Sequence, residues 1–421
     1  MTEIKAVLRT YLTRIRTFRP NARLYLIYVL TVGATMGVFR LIFNFYVLSL
    51  GFDEALMGNL ISTTQFTGML LALPIGFLVD KIGRKPLLVS QSILMTIAIG
   101  GMAVFATVPV FYAMNVLLGV VQSISAVVMA PFLMENSGKE ERTYLFSFSS
   151  GLRMGSVFIG NWLGGYLPGW IGVWRHAAPT SSVAYGGALL SITVISFLGF
   201  IPLLFIRSTK TTGKETPGFA PFQFAMREPK LIVKLLLPSL LISIGAGLIM
   251  PFMNVFFRVV HHQSDQMIGT LFAWGSLAMG VGFMIAPPLA DRIGKIRLVM
   301  ITQGLSIPFM ILLGFSPIFS LSTFAYYVRL FLMNMSSPIY QTFVMEQVDE
   351  GAMATVASLA SMTSRFGRAF SPSISGALQV SYGFGPPFGI AAGLYTAAIS
   401  LYWFFFLRGK EEKQTAAMSG A

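Results

Sequence analysis

The chain contains twelve apolar runs, each long enough to cross a lipid bilayer as a helix. Such a helix needs about 20 consecutive, mainly apolar residues, and 55% of this sequence is hydrophobic while only 11% is charged. The runs are predicted at 24–50, 57–79, 87–106, 109–134, 143–166, 183–206, 231–258, 267–290, 298–315, 319–345, 353–379 and 387–407. The pattern predicts an all-α membrane protein, because a soluble domain has about 25% charged residues.

Short loops connect the runs, except for a longer basic segment in the middle of the chain. The predicted organisation is a basic N-terminal segment at 1–23, a six-helix bundle at 24–206, a linker at 207–230, a second six-helix bundle at 231–407 and a tail at 408–421. Apolar residues recur at helical spacing in the N-terminal segment, which is typical of an amphipathic helix on the membrane surface. A disordered basic tail explains the same composition.

The distribution of Lys and Arg predicts the orientation in the membrane. Of the 30 basic residues, 23 lie in the terminal segments, in the loops after spans two, four, six and eight, or at an adjoining helix end. The opposite face has only Arg175 and Arg258. Because cytoplasmic loops carry the excess of basic residues, we expect a multi-pass protein of the inner cell membrane with both termini in the cytoplasm.

The two halves of the chain repeat each other at an offset of 211 or 212 residues. The stretch "GFLVDKIGRKPL", from Gly76 to Leu87, has a looser copy in "PPLADRIGKIRL", from Pro287 to Leu298. Other matched pairs are Gly58/Gly269 and Glu135/Glu346 at 211, and Arg153/Arg365 and Gly164/Gly376 at 212. Because six spans preserve the direction of the chain, the halves are predicted to be parallel repeats.

The stretch "GFLVDKIGRK" resembles the signature G-x-x-x-D-(R/K)-x-G-R-(R/K) of the major facilitator superfamily of secondary transporters, and the likeness extends over nearly the whole chain. In that family, the aspartate and arginine of this loop join a charge network that helps to hold the cytoplasmic gate. The resemblance implies such a network here, with candidate residues Gly76, Asp80, Gly83, Arg84, Glu135, Arg142, Asp291, Arg292 and Gly294. A loop that only sets the topology is the alternative, although positive charge alone does not require this spacing.

The stretch "GNWLGG" in span five, from Gly160 to Gly165, resembles the antiporter signature G-P-x-x-G-G of the same family. Asn161 stands where that signature has proline, which weakens the inference of antiport. Small residues at these positions also allow close helix packing.

Five arginines lie near the middle of predicted spans, while none of the 16 Asp and Glu residues does. They are Arg40, Arg153, Arg329, Arg365 and Arg368. A charged residue at the bilayer centre costs about 2.5–3.5 kcal/mol on insertion scales, so these arginines are expected to face the protein interior or a water-filled cavity. The resemblance implies a substrate site near the midplane, where guanidinium groups can bind an anionic group.

Further residues complete the predicted substrate contacts. Arg153 and Arg365 are repeat-equivalent, and Arg365 and Arg368 lie one helical turn apart. The polar candidates on spans one, five and seven are Asn44, Asn161 and Asn254. The Phe and Met side chains of spans one and seven either pack in the core or line an apolar cavity. Arg329 is the arginine best suited to bridge helices, and His261 and His262 are expected to be exposed loop residues.

The predicted function is secondary active transport, by alternating access, of a small organic anion or an amphiphile with an anionic head. The protein is expected to lie in the lipid bilayer and to bind no nucleic acid. It is predicted to be a monomer. Proton-coupled drug efflux is one alternative, although it usually requires a carboxylate within the membrane. A lipid-moving or lipid-sensing protein is the other. We expect no enzyme activity, cofactor or metal, since the sequence contains no cysteine, nucleotide-binding loop or metal-ligand spacing.

Overall fold

The computed structural model describes residues 18–138, 141–207, 228–348 and 350–408. Within these ranges every regular element is a helix. The predicted amphipathic helix up to residue 17, the linker at 208–227 and the tail from 409 lie outside the described residues, as do the side chains of Asp80 and Arg142.

The helices form twelve successive spans, which confirms the predicted number and order. In chain order they are Pro20–Ser49; Glu54–Leu70 with Ala72–Ile82; Arg84–Val104; Val108–Glu135; Arg142–Trp174; Ser182–Leu204; Pro229–Ile249 with Met253–Val259; Asp265–Ile293; Lys295–Phe315; Phe319–Glu346; Glu350–Tyr382; and Gly385–Tyr402, continued by a π-helical turn at Trp403–Leu407. Span five is longer than predicted. Glu54 and Asp265 lie in first helical turns, where acidic groups are favourable.

Eight of the spans are long and apolar enough to cross a membrane by length and composition alone. The other four are spans two, five, ten and eleven. Span two is divided at Leu71. Spans five, ten and eleven carry four of the in-span arginines: Arg153, Arg329, Arg365 and Arg368. Polar residues on the protein-facing side of a span lower its mean hydropathy without preventing it from crossing the bilayer.

Prolines interrupt spans two and seven. Pro74 and Pro251 have no amide hydrogen, so the carbonyl four residues earlier loses its helical hydrogen bond. Span two turns at Leu71, and span seven passes through a 3₁₀ turn at Met250–Phe252. At the second break, the hydroxyl of Ser375 on span eleven donates a hydrogen bond to a span-seven carbonyl, that of Leu248, at 2.5 Å.

The helices pack into two compact units. The first comprises the described parts of Met1–Phe52, Thr67–Lys214 and Ser264–Ser276, and the second those of Asp53–Phe66, Glu215–Gln263 and Leu277–Ala421. In the first unit, span one packs against spans five and six, and span three against spans four and six. In the second, span seven packs against spans eleven and twelve, and span nine against spans ten and twelve. Each contact recurs six spans later, so the units are two copies of one helical bundle.

Glycines allow a very close helix crossing between spans five and eight in the first unit. A Cβ atom on Gly165 would lie 2.7 Å from the carbonyl oxygen of Asp265. One on Gly269 would lie 2.7 Å from the carbonyl oxygen of Asn161. The two backbones therefore touch at positions where any larger residue would push the helices apart.

The second unit contains the equivalent crossing, between spans two and eleven. A Cβ atom on Gly58 or on Gly376 would lie 2.2 Å from a carbonyl oxygen of the facing span. Gly58 and Gly376 are each 211 residues from their counterparts in the first unit, Gly269 and Gly165. The predicted match of Gly164 with Gly376 is therefore wrong by one residue, because the contact geometry makes Gly165 the equivalent position. The same 211-residue register pairs Arg153 with Ser364, so the predicted equivalence of Arg153 and Arg365 is wrong by one residue as well.

Candidate functional site

The five in-span arginines have two kinds of surroundings. Arg40, Arg153 and Arg368 are exposed and Arg365 is half-buried, whereas Arg329 is only 1% exposed. An accessible guanidinium group within a membrane span requires contact with water, polar groups or a ligand. The four accessible arginines are therefore the candidates for substrate contact.

Arg153 projects from a part of span five that is held tightly against span one. Gly33 on span one permits this packing, since a Cβ atom there would lie 2.6 Å from the Cβ of Ser156 and 3.3 Å from the carbonyl oxygen of Arg153. The Arg153 side chain forms no hydrogen bond or ion pair with another described residue. The backbone of Arg153 is therefore held in place, while its guanidinium group remains available to contact a ligand.

Span eleven carries Arg365 and Arg368 one turn apart. Arg368 is held by Ser364, since its Nε donates to the Ser364 carbonyl at 3.2 Å and its Nη2 donates to the Ser364 hydroxyl at 2.8 Å. Ser243 on span seven donates to the same hydroxyl oxygen at 3.4 Å. Arg365 has no hydrogen-bond or ion-pair partner in the part of the chain that the structure describes. Two neighbouring guanidinium groups favour the binding of an anion.

Arg329 is buried between spans seven, ten and twelve. Its Nη2 donates to the hydroxyl of Tyr395 at 3.0 Å, and its guanidinium carbon lies 5.5 Å from the centre of the Tyr395 ring. Its Nη1 lies 3.9 Å from the sulfur of Met250, the residue that caps the first helix of span seven. The position suits a structural role.

The three predicted asparagine contacts are buried, and their role in substrate binding stays a prediction. Asn44 is 3% exposed, Asn254 1% and Asn161 7%. Asn161 Nδ2 donates to the carbonyl oxygen of Phe272 and to the hydroxyl of Ser276, each at 3.3 Å, and so joins spans five and eight. The large side chains of spans one and seven are buried too, which supports packing over cavity lining: Phe39, Phe43, Phe45, Phe252, Met253, Phe256 and Phe257.

His261 is buried, so the prediction that it is an exposed loop residue is wrong. Its ring centre lies 5.3 Å from that of Phe256, 5.8 Å from that of Phe257 and 5.9 Å from that of Phe319. Its Nε2 has no hydrogen-bond partner within the described residues. Burial, with a smaller contribution from the charge of His262, lowers the pKa of His261. The loop folds onto aromatic side chains of spans seven and ten, a tertiary contact that local sequence does not reveal.

Each repeated loop forms an ion pair within its own unit. Arg84 pairs with Glu135 in the first unit, and Lys295 pairs with Glu346 at the equivalent positions in the second. The side chain of Glu135 is 32% exposed and that of Glu346 52%, so the first pair is better shielded from water. Ion pairs that contact water contribute little stability, so they can break and re-form during a transport cycle.

Glycine makes the turn that presents these charges. Gly83 has a φ of +84° and Gly294 a φ of +90°, a region of backbone conformation that favours glycine. Both glycines therefore make the tight turn between two successive spans. Of the other predicted gate residues, Asp291 and Arg292 are exposed and form no ion pair with a described residue. A Cβ atom on Gly76 would meet no atom within 4 Å, and the side chains of Asp80 and Arg142 lie outside the described residues.

Two polar contacts in the first unit were not predicted. Tyr185 on span six donates to the carboxylate of Asp265 at 2.5 Å, at the face opposite the basic loops. Asn21 binds the backbone of Arg207 at the face of the basic loops. The presence of an acid on a face with few charged residues was the sequence signal for the first contact. Among the described residues, no group of three or more His, Cys, Asp or Glu side chains is placed to hold a metal ion.

Duplicated helical units with accessible arginines inside the spans are the arrangement that the sequence resemblance implies for a secondary transporter with twelve membrane helices. A family model described as "Major Facilitator Superfamily" matches residues 24–372. The chain belongs to the Major Facilitator Superfamily.

Relatives of similar sequence are named as multidrug pumps. The chain is 25% identical over 260 residues to the "Multi-drug resistance efflux pump PmrA" of Streptococcus pneumoniae, an alignment that covers 59% of this chain and 61% of that relative. It therefore spans about three fifths of that relative's length. The chain is 23% identical over 399 residues to the "Multidrug resistance protein MdtG" of Dickeya zeae, which covers 91% of this chain and 93% of the relative.

Solved structures of transporters have the same fold. The nucleoside transporter NupG superposes with a TM-score of 0.78 at 13% identity, covering 92% of this chain and all of that one (100%). A bacterial homologue of the human lysosomal transporter Spinster superposes with a TM-score of 0.74 at 13% identity, covering 91% of this chain and 96% of that one. At this level of identity the likeness establishes the fold and not the substrate.

Proposed function

We propose that the chain exports small organic anions, or amphiphiles with an anionic head, by alternating access. The observation that carries this proposal is the accessibility of Arg153 and Arg365 together with their lack of described polar partners. Both side chains are at least partly accessible within their spans, and neither has a hydrogen-bond or ion-pair partner among the described residues. Every described Asp and Glu lies in a loop or in a terminal turn of a helix, so these charges have no carboxylate at their own depth.

The charge distribution favours anions for a simple electrostatic reason. In a low-dielectric cavity lined by one sign of charge, the potential concentrates ligands of the opposite sign. An anion gains charge-assisted hydrogen bonds to the guanidinium groups, whose planar donors match a carboxylate or a phosphate. A cation gains nothing comparable, because every described acidic residue lies in a loop or in a terminal turn of a helix.

The direction of transport is inferred from the relatives. Both relatives are named for drug resistance, one of them as an efflux pump, which supports export of drug-like compounds. The same names favour a second candidate, proton-coupled efflux of cationic drugs. That candidate needs an ionisable carboxylate in the transport path, and the described spans offer such groups only at their ends. The lipid-moving alternative stays a prediction.

Transport of two dyes that share one ring system tests the proposal. Fluorescein is an anion and rhodamine 123 a cation, yet both have a xanthene core of similar size. In proteoliposomes, we expect faster transport of fluorescein, and we expect Arg153→Ala to slow it. Transport of rhodamine 123 in preference to fluorescein would instead establish the cationic-drug candidate.

A further inference from the structure

Four basic side chains lie near one another at the basic face of the first unit, where the ends of spans one, three, four and six meet. They are Arg19, Arg84, Lys85 and Arg207, which we call the basic cluster. Two of them converge on the end of span four: Arg84 pairs with the Glu135 carboxylate, and Arg19 Nη1 donates to the Glu135 carbonyl at 3.1 Å.

Backbone contacts hold the other two members of the cluster in place. The side-chain oxygen of Asn21 accepts from the Arg207 amide at 2.9 Å, and its nitrogen donates to the Arg207 carbonyl and to the Asn136 side chain, each at 3.0 Å. Lys85 Nζ donates to the carbonyl of Leu204 at 2.9 Å. Asn21 therefore fixes the end of span six beside the end of span four.

The cluster has more positive charge than its partners among the described residues neutralise. Among the described residues, Glu135 is the one carboxylate that pairs with any of its members. Arg19 and Lys85 donate to neutral carbonyls, and the guanidinium group of Arg207 is exposed without a hydrogen bond to another described residue. Positive charges at the edge of the bilayer attract anionic groups, and arginine and lysine are the side chains that bind phosphate.

An exposed apolar surface continues from the cluster into the membrane. Spans one and six pack closely, since a Cβ atom on Gly199 would lie 2.4 Å from the hydroxyl of Thr31. Large apolar side chains on these two spans remain 43% to 69% exposed: Ile27, Leu30, Leu198, Ile201, Leu204 and Phe205. A phosphate-binding group above an apolar surface matches the two parts of a phospholipid.

We propose that the basic cluster binds the phosphate of an anionic phospholipid, whose acyl chains lie along spans one and six. The lipid would neutralise Arg207 and Lys85 and add to the contacts that join the ends of spans four and six. Selectivity for the charge of the headgroup would distinguish this surface from the rest of the lipid-covered surface.

Lipid binding to the purified full-length protein tests the proposal by native mass spectrometry. The probes are phosphatidylglycerol and phosphatidylcholine with identical acyl chains, with inorganic phosphate as a soluble competitor. We expect phosphatidylglycerol to bind more tightly, and inorganic phosphate not to displace it at equal concentration. Arg207→Gln with Lys85→Gln should weaken phosphatidylglycerol binding about fivefold for each charge removed.

A matched variant controls for the change in net charge. Arg297 and Lys234 are exposed basic residues on the same predicted face of the second unit, and Arg297→Gln with Lys234→Gln should leave binding at the parental level. Arg207→Gln alone should fold like the parental protein, because Asn21 contacts only the backbone of Arg207, and its lipid binding can therefore be measured. Equal binding of the two lipids, equal losses in both double variants, or displacement by inorganic phosphate would each overturn the proposal.

Discussion

Arg329 and Arg365 carry the same charge on neighbouring spans, but their surroundings give them different roles. Arg329 is 1% exposed and is held by Tyr395, and Gly245 leaves room for that ring, since a Cβ atom there would lie 2.8 Å from it. Arg365 is half-buried and has no hydrogen-bond partner among the described residues. Burial thus separates an arginine suited to holding helices together from one that we propose contacts the substrate.

Arg329→Ala should destabilise the protein by about 1–3 kcal/mol, because it removes a buried hydrogen bond and leaves the Tyr395 hydroxyl without its donor. The measurement is thermal unfolding of the purified protein. Arg365→Ala is the matched control and should leave the melting temperature nearly unchanged. Equal losses in both variants would mean that Arg365 is structural as well.

His261 should make stability depend on pH. Because burial lowers its pKa below the ordinary histidine value of 6.5, the unfolded chain takes up a proton at a higher pH than the folded protein does. The free energy of unfolding therefore decreases as pH falls through about 6.5, until the folded histidine is also protonated. We expect His261→Phe to unfold with a weaker pH dependence than the parental protein between pH 5 and 7.5.

The control for this experiment is His176→Asn, because His176 is exposed and asparagine tolerates its positive φ of 52°. This variant should keep the parental pH dependence. An unchanged pH dependence in His261→Phe would show that His261 does not determine it.

At the scale of helices, close backbone crossings define each unit as much as apolar packing does. Membrane helices gain little from the hydrophobic effect between themselves, so small residues that let backbones approach are the usual contact positions. Spans five and eight and spans two and eleven meet in this way, at positions 211 residues apart. The duplication has therefore preserved a contact geometry as well as a sequence motif.

Gly58→Ala and Gly376→Ala should each destabilise the protein by about 1–3 kcal/mol, the usual cost of overpacking. Each new Cβ atom would lie 2.2 Å from a backbone oxygen, which no side-chain rotation relieves. Gly280→Ala is the control, since a Cβ atom there meets nothing within 4 Å, and in a helix it should be neutral or slightly stabilising. Thermal unfolding compares the three, and unchanged melting temperatures in Gly58→Ala and Gly376→Ala would contradict the account.

For the whole molecule, the sequence predicts the twelve spans and the duplication because both depend on local composition and on spacing. The turn at Gly83 is equally predictable, since glycine and charge recur there in a fixed pattern. Contacts between distant segments are not predictable in this way. Neither the burial of His261 nor the hydrogen bonds from Asn21 to the backbone of Arg207 have a signature in the local sequence. The break of span seven had a signal in Pro251, although prolines also occur inside helices that remain continuous.

The loop ion pairs should affect transport more than stability. Glu135→Gln breaks the pair with Arg84 and should slow transport in proteoliposomes, while Glu346→Gln should slow it less because the second pair is more exposed. Glu228→Gln serves as control, since Glu228 is exposed and has no ion pair with a described residue. Parental transport rates in both loop variants would indicate that the loops only set the topology.

The most direct test of the account is the charge selectivity of ligand binding to Arg153 and Arg365. Binding of fluorescein and rhodamine 123 is measured by ligand-dependent thermal stabilisation of the parental protein, Arg153→Ala and Arg365→Ala. We predict that the parental protein binds the anion better, and that each substitution weakens anion binding by about 1.5–3 kcal/mol, the cost of a lost charged hydrogen bond. Tighter binding of the cation, or anion binding at the parental level in both variants, would contradict the assignment.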